Sequence, residues 1–426
     1  MAGVDALELL TPENSTRVSA SALPADVWHT VFNLVRATAQ TALALVNHTC
    51  LEVYRAKRYR ALHLEDYSPN TKRLVRLLGD QHVANLVREV YIRPWNILHE
   101  SRPKKHHLAS RFWLPPETTI AARLVGLRLP ALDALHVELC IPQSLPNAMY
   151  YLENVRLFIT NVEYSDHPHL RALEVGVTPT SVPFDLSTFF RHLGPFHVLD
   201  TFELSIPFNG VHLRDVSGLR AFLFAHAHRL HRLAFRTRRM TPAAAQSNTG
   251  WVLVALRGMC FTNLVSAELA LRPVAGPFDI DGLGGWIRAH AVGLLSVALM
   301  DRQLALDEVS VIVGALDKEV VLEMKLRVRR LSAPMLETVA RGLPQLCELE
   351  ITYISIGSTD EGLSGVAAFL RALSLARESY EGWHLRRLRL RLPFTVLDES
   401  SSESRLFVTM LPKLVPSFKS TRIQVG

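Results

Sequence analysis

The sequence reads as an α/β repeat: a stack of strand–helix units whose strands form one parallel sheet, preceded by a short helical module. Three observations lead there. From about Ala131 onward, segments patterned Leu-x-x-Leu-x-Leu return. Their central positions Leu173, Phe202, Leu233, Ala267, Val297 and Val328 recur roughly every 30 residues, the spacing of a repeat array. Between them lie stretches such as VSGLRAFLFAHAHR, GLGGWIRAHAVG and MLETVARGLPQL, whose apolar residues fall three and four apart. Period two in the strands and near 3.6 in the connectors is what a β–α unit demands. The third observation is the front of the chain, where Ser21 to Leu64 carries two greasy helical runs ahead of any repeat.

Taken in order, residues 1–18 form a loose leader, with turn chemistry at Thr11-Pro12-Glu13-Asn14-Ser15. Residues 19–64 are the helical module. Pro24 suits a first helical turn, where a missing N–H costs nothing. Val27, Trp28, Val31, Phe32 and Val35 then make one apolar stripe. After a break comes a second run with Leu43, Leu45 and Val46, then a basic, aromatic tail (Tyr54, Lys57, Arg58, Tyr59, Arg60) leading into Ala61-Leu62-His63-Leu64. So short a unit has to bury its stripe against something else. Residues 65–130 hold the first irregular repeats: a helix, a turn at Gly79-Asp80, a short helix, a strand at Val90-Tyr91-Ile92, and a polar, Pro-rich, basic loop at 96–117.

Residues 131–426 form the array, with strands expected at LDALHVEL, LENVRLFI, LRALEVGV, LDTFELSI, LHRLAFRT, LVSAELAL, LLSVALMD, VRRLSAP, LCELEITY and LRRLRLRL. One unit cannot bury both its strand's inner face and its helix's stripe, whereas stacked neighbours can. The strands then line the concave side and the helices the convex side. A doubly wound α/β domain is the competing fold. The shared Leu-x-x-Leu-x-Leu template, in place of continuous Val/Ile runs, favours the stack. The Asn usual in a leucine-rich-repeat turn is missing from most copies, so the array resembles the irregular kind of leucine-rich repeat.

The front segment resembles an F-box, the helical module that docks a substrate receptor onto the Skp-type adaptor of a cullin–RING (SCF) ubiquitin ligase. Leu23-Pro24 match the family's opening pair, Val27 and Val31 its next apolar positions, and Leu43, Leu45 and Val46 its second-helix positions. Tyr59-Arg60-Ala61-Leu62-His63-Leu64 resembles the exit into a first strand in large fungal F-box proteins. The family's Cys-Arg and later Trp are replaced by Asn47, His48 and Cys50. The resemblance implies a non-catalytic substrate receptor, with Leu23, Pro24, Val27, Val31, Leu45 and Val46 touching the adaptor and the array holding a target protein. Three alternatives stand beside it: a helical cap closing the array, a leucine-rich scaffold unconnected to ubiquitin, and a nucleic-acid-binding or catalytic α/β protein.

Composition fits a folded protein: 426 residues, 48% hydrophobic and 20% charged. Cys50, Cys140, Cys260 and Cys347 are scattered without paired spacing, which argues against a disulfide framework or a zinc site and for a reducing compartment. No basic signal region and no bilayer-length apolar run is present, so cytoplasm or nucleus is the expected setting and no membrane partner is expected. A net charge of +7 favours acidic partners. Nucleic acid is not expected among them, for want of a zinc finger, an RNP signature or a sustained basic run. No P-loop, dinucleotide fingerprint, nucleophile elbow or zincin helix occurs, and His226, His228 and His231 lack the carboxylate or Cys that would complete a metal set. No cofactor or metal is expected.

The residues flanking the strand leucines are often charged. Arg236, Arg327, Arg329, Arg387, Arg389 and Arg391 are the candidates for holding an acidic or phosphorylated segment of a target, since guanidinium groups grip carboxylate and phosphate bidentately. Glu174, Glu203, Glu268, Glu348 and Glu350 occupy comparable positions. On neighbouring strands they would instead convert the arginines into a ladder of surface ion pairs.

Overall fold

The computed structural model describes residues 24–46, 48–65, 68–93, 128–140, 152, 155–160, 169–179, 181, 183–207, 211–238, 250–271, 278–357, 365–391, 409–413 and 422–425. Twelve strands lie in one sheet in the order of the sequence: β1 (Ala61–Leu64), β2 (Glu89–Ile92), β3 (Ala134–Leu139), β4 (Ala172–Val177), β5 (Thr201–Pro207), β6 (Arg232–Arg238), β7 (Ser266–Ala270), β8 (Ser296–Leu304), β9 (Glu323–Leu331), β10 (Glu348–Ile356), β11 (Arg387–Arg391) and β12 (Arg422–Val425). Every neighbouring pair is parallel. A doubly wound sheet reverses its strand order about a switch point; this one never does.

The register explains the Leu-x-x-Leu-x-Leu template. Leu62, Val90, Leu135 and Leu173 pair in one row that continues to Leu349 and Leu388. Two residues on, Leu64, Ile92, Val137 and Val175 begin a second row that runs on to Ile351 and Leu390. All are buried. The residues between them face the other way and stay partly exposed, apart from the buried Ala234 and Ala298. The buried rows meet the helices: α6 (Leu186–Arg191), α7 (Ser217–His226), α8 (Trp251–Leu256), α9 (Ile280–His290), α10 (Leu306–Ala315), α11 (Ala333–Gly342) and α12 (Val366–Leu375). Each touches the next. One continuous core results, in which every buried Leu or Phe contributes about 1.5–3 kcal/mol.

Local chemistry sets the helix starts. Asp185 accepts the N–H groups of Ser187 and Thr188 at α6, Asp279 that of Gly282 at α9, and Ser68 that of Thr71 at α4 (Pro69–Leu77), whose first residue is proline. Buried histidines close two helices. His226 Nε2 accepts the Phe196 N–H at 2.8 Å while its Nδ1 lies 2.6 Å from the Phe222 carbonyl; His290 does the same with Phe261 and Trp286, at 2.9 and 2.7 Å.

On the rim where the strands begin, a backbone chain runs without a break. Arg88, Asp133, Arg171, Asp200, His231, Val265, Leu295, Leu322, Cys347 and Arg386 each donate an N–H to the equivalent carbonyl of the preceding unit, starting at Arg60, and the residue after each donates to that same carbonyl. Every unit is therefore pinned to its neighbour at one fixed point.

The front of the chain forms three helices, α1 (Ala25–Leu34), α2 (Ala37–Leu43) and α3 (His48–Tyr59). The basic, aromatic tail of the sequence reading is the third of them. Trp28, Phe32, Cys50 and Val53 make a small core of their own, flanked by Val31, Leu43 and Tyr54 and separate from the main one. Gln40 Nε2 holds α1 against α2 by donating to the carbonyls of Phe32 and Val35. Then α4, α5 (Gln81–Ala84) and β2 follow as the sequence implied.

Two expectations need correction. LENVRLFI is not a strand: 155–160 is helical, with Leu152, Val155, Phe158 and Ile159 buried at helical spacing. VRRLSAP catches only the end of β9, since the residue aligned with Val297 and Leu349 is Met324; Val328 sits four positions further along. The leader 1–18 and the basic loop 96–117 lie outside the described residues.

Candidate protein-binding surface

The outward side of the sheet carries its residues in rows fixed by the register. At the first strands the row is aromatic: His63, Tyr91 and His136 stack face to face, centroids 4.5 and 4.1 Å apart and planes within 5° and 6°. It then turns acidic, with His136 Nδ1 2.7 Å from Glu174 Oε2. The bond to His136 pulls Glu174 down against the effect of burial, and Arg236 and Arg238 add their charge, so its carboxyl lies below the usual range.

Around this row lies an open depression of about 160 Å³ lined by Glu65, Tyr91, Arg93, His136, Glu138 and Arg238 among others. Arg238 on β6 reaches over β5 and β4 to Glu138 on β3 at 2.6 Å, touching Ser205 Oγ at 3.2 Å on the way. Gly176 clears its path, because a Cβ there would stand 2.6 Å from Arg238 Nη2. Arg93 holds Glu138 from the other side at 2.9 Å. Burial works to raise Glu138, but the two guanidinium groups outweigh it and keep the carboxyl low.

Further along, Arg236 grips Glu268 with Nε and Nη2 at 2.8 and 2.7 Å and pairs with Glu203, which Arg232 also meets at 2.9 Å. At the far end Arg387 meets Glu348 at 2.8 Å, while Arg389 and Arg391 converge on Glu350 at 3.5 and 3.0 Å. Four sequence candidates, Arg236, Arg387, Arg389 and Arg391, are thus rungs of an ion-pair ladder. Such half-exposed pairs contribute about 0–1 kcal/mol each. Arg327 and Arg329 differ: their side chains make no ion pair among the described residues. Sequence reasoning missed the ring stack, though His, Tyr and His hold the same place in three successive strand motifs. It also missed the Arg238 crossing, which depends on register.

The other candidate surface is the front module. Pro24 is exposed, Val27 is 37% exposed, and Val31 is half-buried against the Trp28–Phe32 cluster. Leu23 lies outside the described residues. α2 stops at Leu43, so Leu45 and Val46 fall in the turn before α3, their N–H groups bonded to Ala42 and Leu43. There they stand 84% and 50% exposed. Leu34, which the sequence reading passed over, is 82% exposed as the last residue of α1.

His226 is committed to backbone groups, and no cluster of three or more metal-capable side chains occurs among the described residues. No helix among them is long and apolar enough to cross a membrane.

No protein-family model and no curated protein matches the chain. Among solved structures, it is similar over 62% of its length to the carboxyl transferase domain of Rhizobium etli pyruvate carboxylase with 3-bromopyruvate, at 14% identity and a TM-score of 0.20. The match spans 40% of that chain. A likeness at that score carries no argument.

Proposed function

We propose that this protein is a non-catalytic substrate receptor of an SCF-type ubiquitin ligase. In this reading α1–α3 dock a Skp-type adaptor, and the array, an irregular leucine-rich-repeat solenoid, presents the outward side of its sheet to a target protein. The observation that carries the reading is the state of Leu45 and Val46. They occupy positions that the F-box resemblance gives to adaptor contact, and they stand in water while Trp28, Phe32 and Val53 of the same module are buried. A helical cap serving only to close the array would turn such residues inward. Here large apolar side chains on a module with its own small core are left to be covered by another protein. The sequential parallel sheet, covered by helices on its buried side, is consistent with the solenoid half of the reading.

Function follows from joining the two surfaces. Holding a target beside the ligase turns ubiquitin transfer into an effectively intramolecular event, so the receptor supplies concentration and orientation while other subunits supply chemistry. The setting is cytoplasmic or nuclear, where such ligases work. The test is capture by purified Skp-type adaptor. Wild type is expected to bind, and Leu45→Glu with Val46→Glu is expected to abolish binding without lowering the melting temperature. Leu23→Ala with Pro24→Ala is expected to weaken it. Failure of the wild type to bind would leave the second reading, a repeat scaffold outside ubiquitination.

A further inference from the structure

The outward side of the sheet divides into two electrostatic regions. Among the described residues, Arg93, Arg232, Arg236, Arg238, Arg387, Arg389 and Arg391 each have a carboxylate partner. The exception is β9. Lys325, Arg327 and Arg329 follow one another at alternate positions along this strand, and their side chains make no hydrogen bond or ion pair among the described residues. The register shows why. Ala298 and Glu350 flank Lys325, and that glutamate is already committed to Arg389 and Arg391. Thr352 stands beside Arg327. Arg329 falls between Val328 and Arg330, whose partners are Tyr353 and Ser355, so its neighbour on β10 is Ile354, 41% exposed. On the β8 side the pairing slips between Leu299 and Leu304, and the slipped stretch carries Asp301, which bonds Thr237 on β6.

Arg327 is also not a loosely waving surface charge. It is half-buried, and its Nε is shut off from water with no acceptor. Three like charges on one strand, spanning about 13 Å at ~3.3 Å per residue, repel one another, and the exposed Glu323 that precedes them on the strand offsets this only at the Lys325 end.

We propose that β9 is the strand that grips cargo, and that the cargo is an extended, anionic segment of a partner protein, its carboxylates or phosphate groups spaced along Lys325, Arg327 and Arg329 with Ile354 as an apolar contact. The proposal rests on the reading that the outward side of the sheet holds a target protein. It moves the contact away from Arg387, Arg389 and Arg391, whose charges are already met.

The test is fluorescence anisotropy on the full chain with three labelled peptides of equal length: one alternating Asp and Ser, one with phosphoserine at the Asp positions, and one with Ser throughout. The acidic peptides are expected to bind and the neutral one not. Tighter binding of the phosphoserine peptide would name phosphate as the anion, and tighter binding of the Asp peptide would name carboxylate. Lys325→Gln with Arg329→Gln, both exposed positions, is expected to weaken binding about tenfold and to flatten its salt dependence. Arg232→Gln, on a paired rung, is expected to leave it unchanged. Equal binding of the neutral peptide, no loss in the double variant, or tighter binding of a single-stranded oligonucleotide of equal length would overturn the proposal. Adaptor capture by the same double variant separates this failure from failure of the receptor reading, because β9 lies far along the sheet from α1–α3.

Discussion

Lowering the pH should loosen this protein through three buried histidines. His212 is 1% exposed, and burial pushes its pKa down from the ordinary 6.5 to about 4; its Nδ1 lies 3.4 Å from the Phe184 N–H, facing a donor. Between pH 6.5 and 4 the unfolded chain therefore binds a proton at this site that the folded chain refuses. Stability is complete above pH 6.5 and falls as the pH drops through that window. At pH 5 the loss from His212 alone comes to about 2 kcal/mol. His226 and His290 push in the same direction: burial lowers both, and each has a ring nitrogen facing a backbone N–H, so a proton there would set two donors against each other. The assay is urea unfolding at pH 8, 6.5 and 5 for wild type and His212→Gln. Removing His212 is expected to destabilise at pH 8, and that penalty should shrink by about 2 kcal/mol at pH 5, because the variant no longer has this proton to refuse. Parallel losses in the two proteins would refute the reasoning.

Other substitutions test the packing and the ladder. Gly218→Ala places a Cβ 1.8 Å from the Ser187 carbonyl oxygen, where α6 and α7 touch through the Gly218 N–H to Ser187 Oγ bond; thermal melting should show a loss of at least about 1–3 kcal/mol. Gly176→Ala should displace the Arg238 guanidinium from Glu138 at a cost below about 1 kcal/mol, and the Glu138 carboxyl should rise toward its ordinary pKa in an NMR titration. Arg302→Ala strands the buried Glu308 carboxylate, which also accepts the Ala305 N–H at the start of α10. Chemical denaturation should report a loss of about 3–5 kcal/mol, partly recovered when Glu308→Gln is added.

Much of the sheet was legible because its inward positions are leucines at regular spacing. Leu173, Phe202 and Leu233 recur in sequence just as they pair in space. β9 was harder, since Met324 replaces the expected leucine and charged residues crowd the run, so the template locked onto Val328 instead. LENVRLFI failed for a related reason: its buried residues fall three and four apart, and a strand motif read by leucine alone cannot tell that from alternation. The arginines of β11 and the glutamates of β10 were both visible as a possible ladder, but which glutamate each arginine meets was not, because a one-residue change of register would have given each a different neighbour. The exposure of Leu45 and Val46 depended on where α2 ends, and single sequences place helix ends poorly.

The backbone chain along the starting rim has a bearing on how the molecule tolerates extra length. Each unit is stitched to the one before it at a single residue, from Arg88 through Arg386, so adding or removing a residue next to that stitch throws every later side chain of the strand onto the wrong side of the sheet. At the opposite ends of the strands the backbone bonds between units are intermittent among the described residues: Arg93 N–H to Leu64, Thr178 to Leu139, Leu271 to Met300 and Gly357 to Leu331. The chain spans only 25 residues from Met324 to Leu349 but 39 from Leu349 to Leu388, and both pairs still meet in register. The connections between strands thus vary in length while the register at the starting rim holds. A peptide tag placed just beyond Arg238 should be carried without harm, while the same tag between His231 and Arg232 should unravel the units on either side.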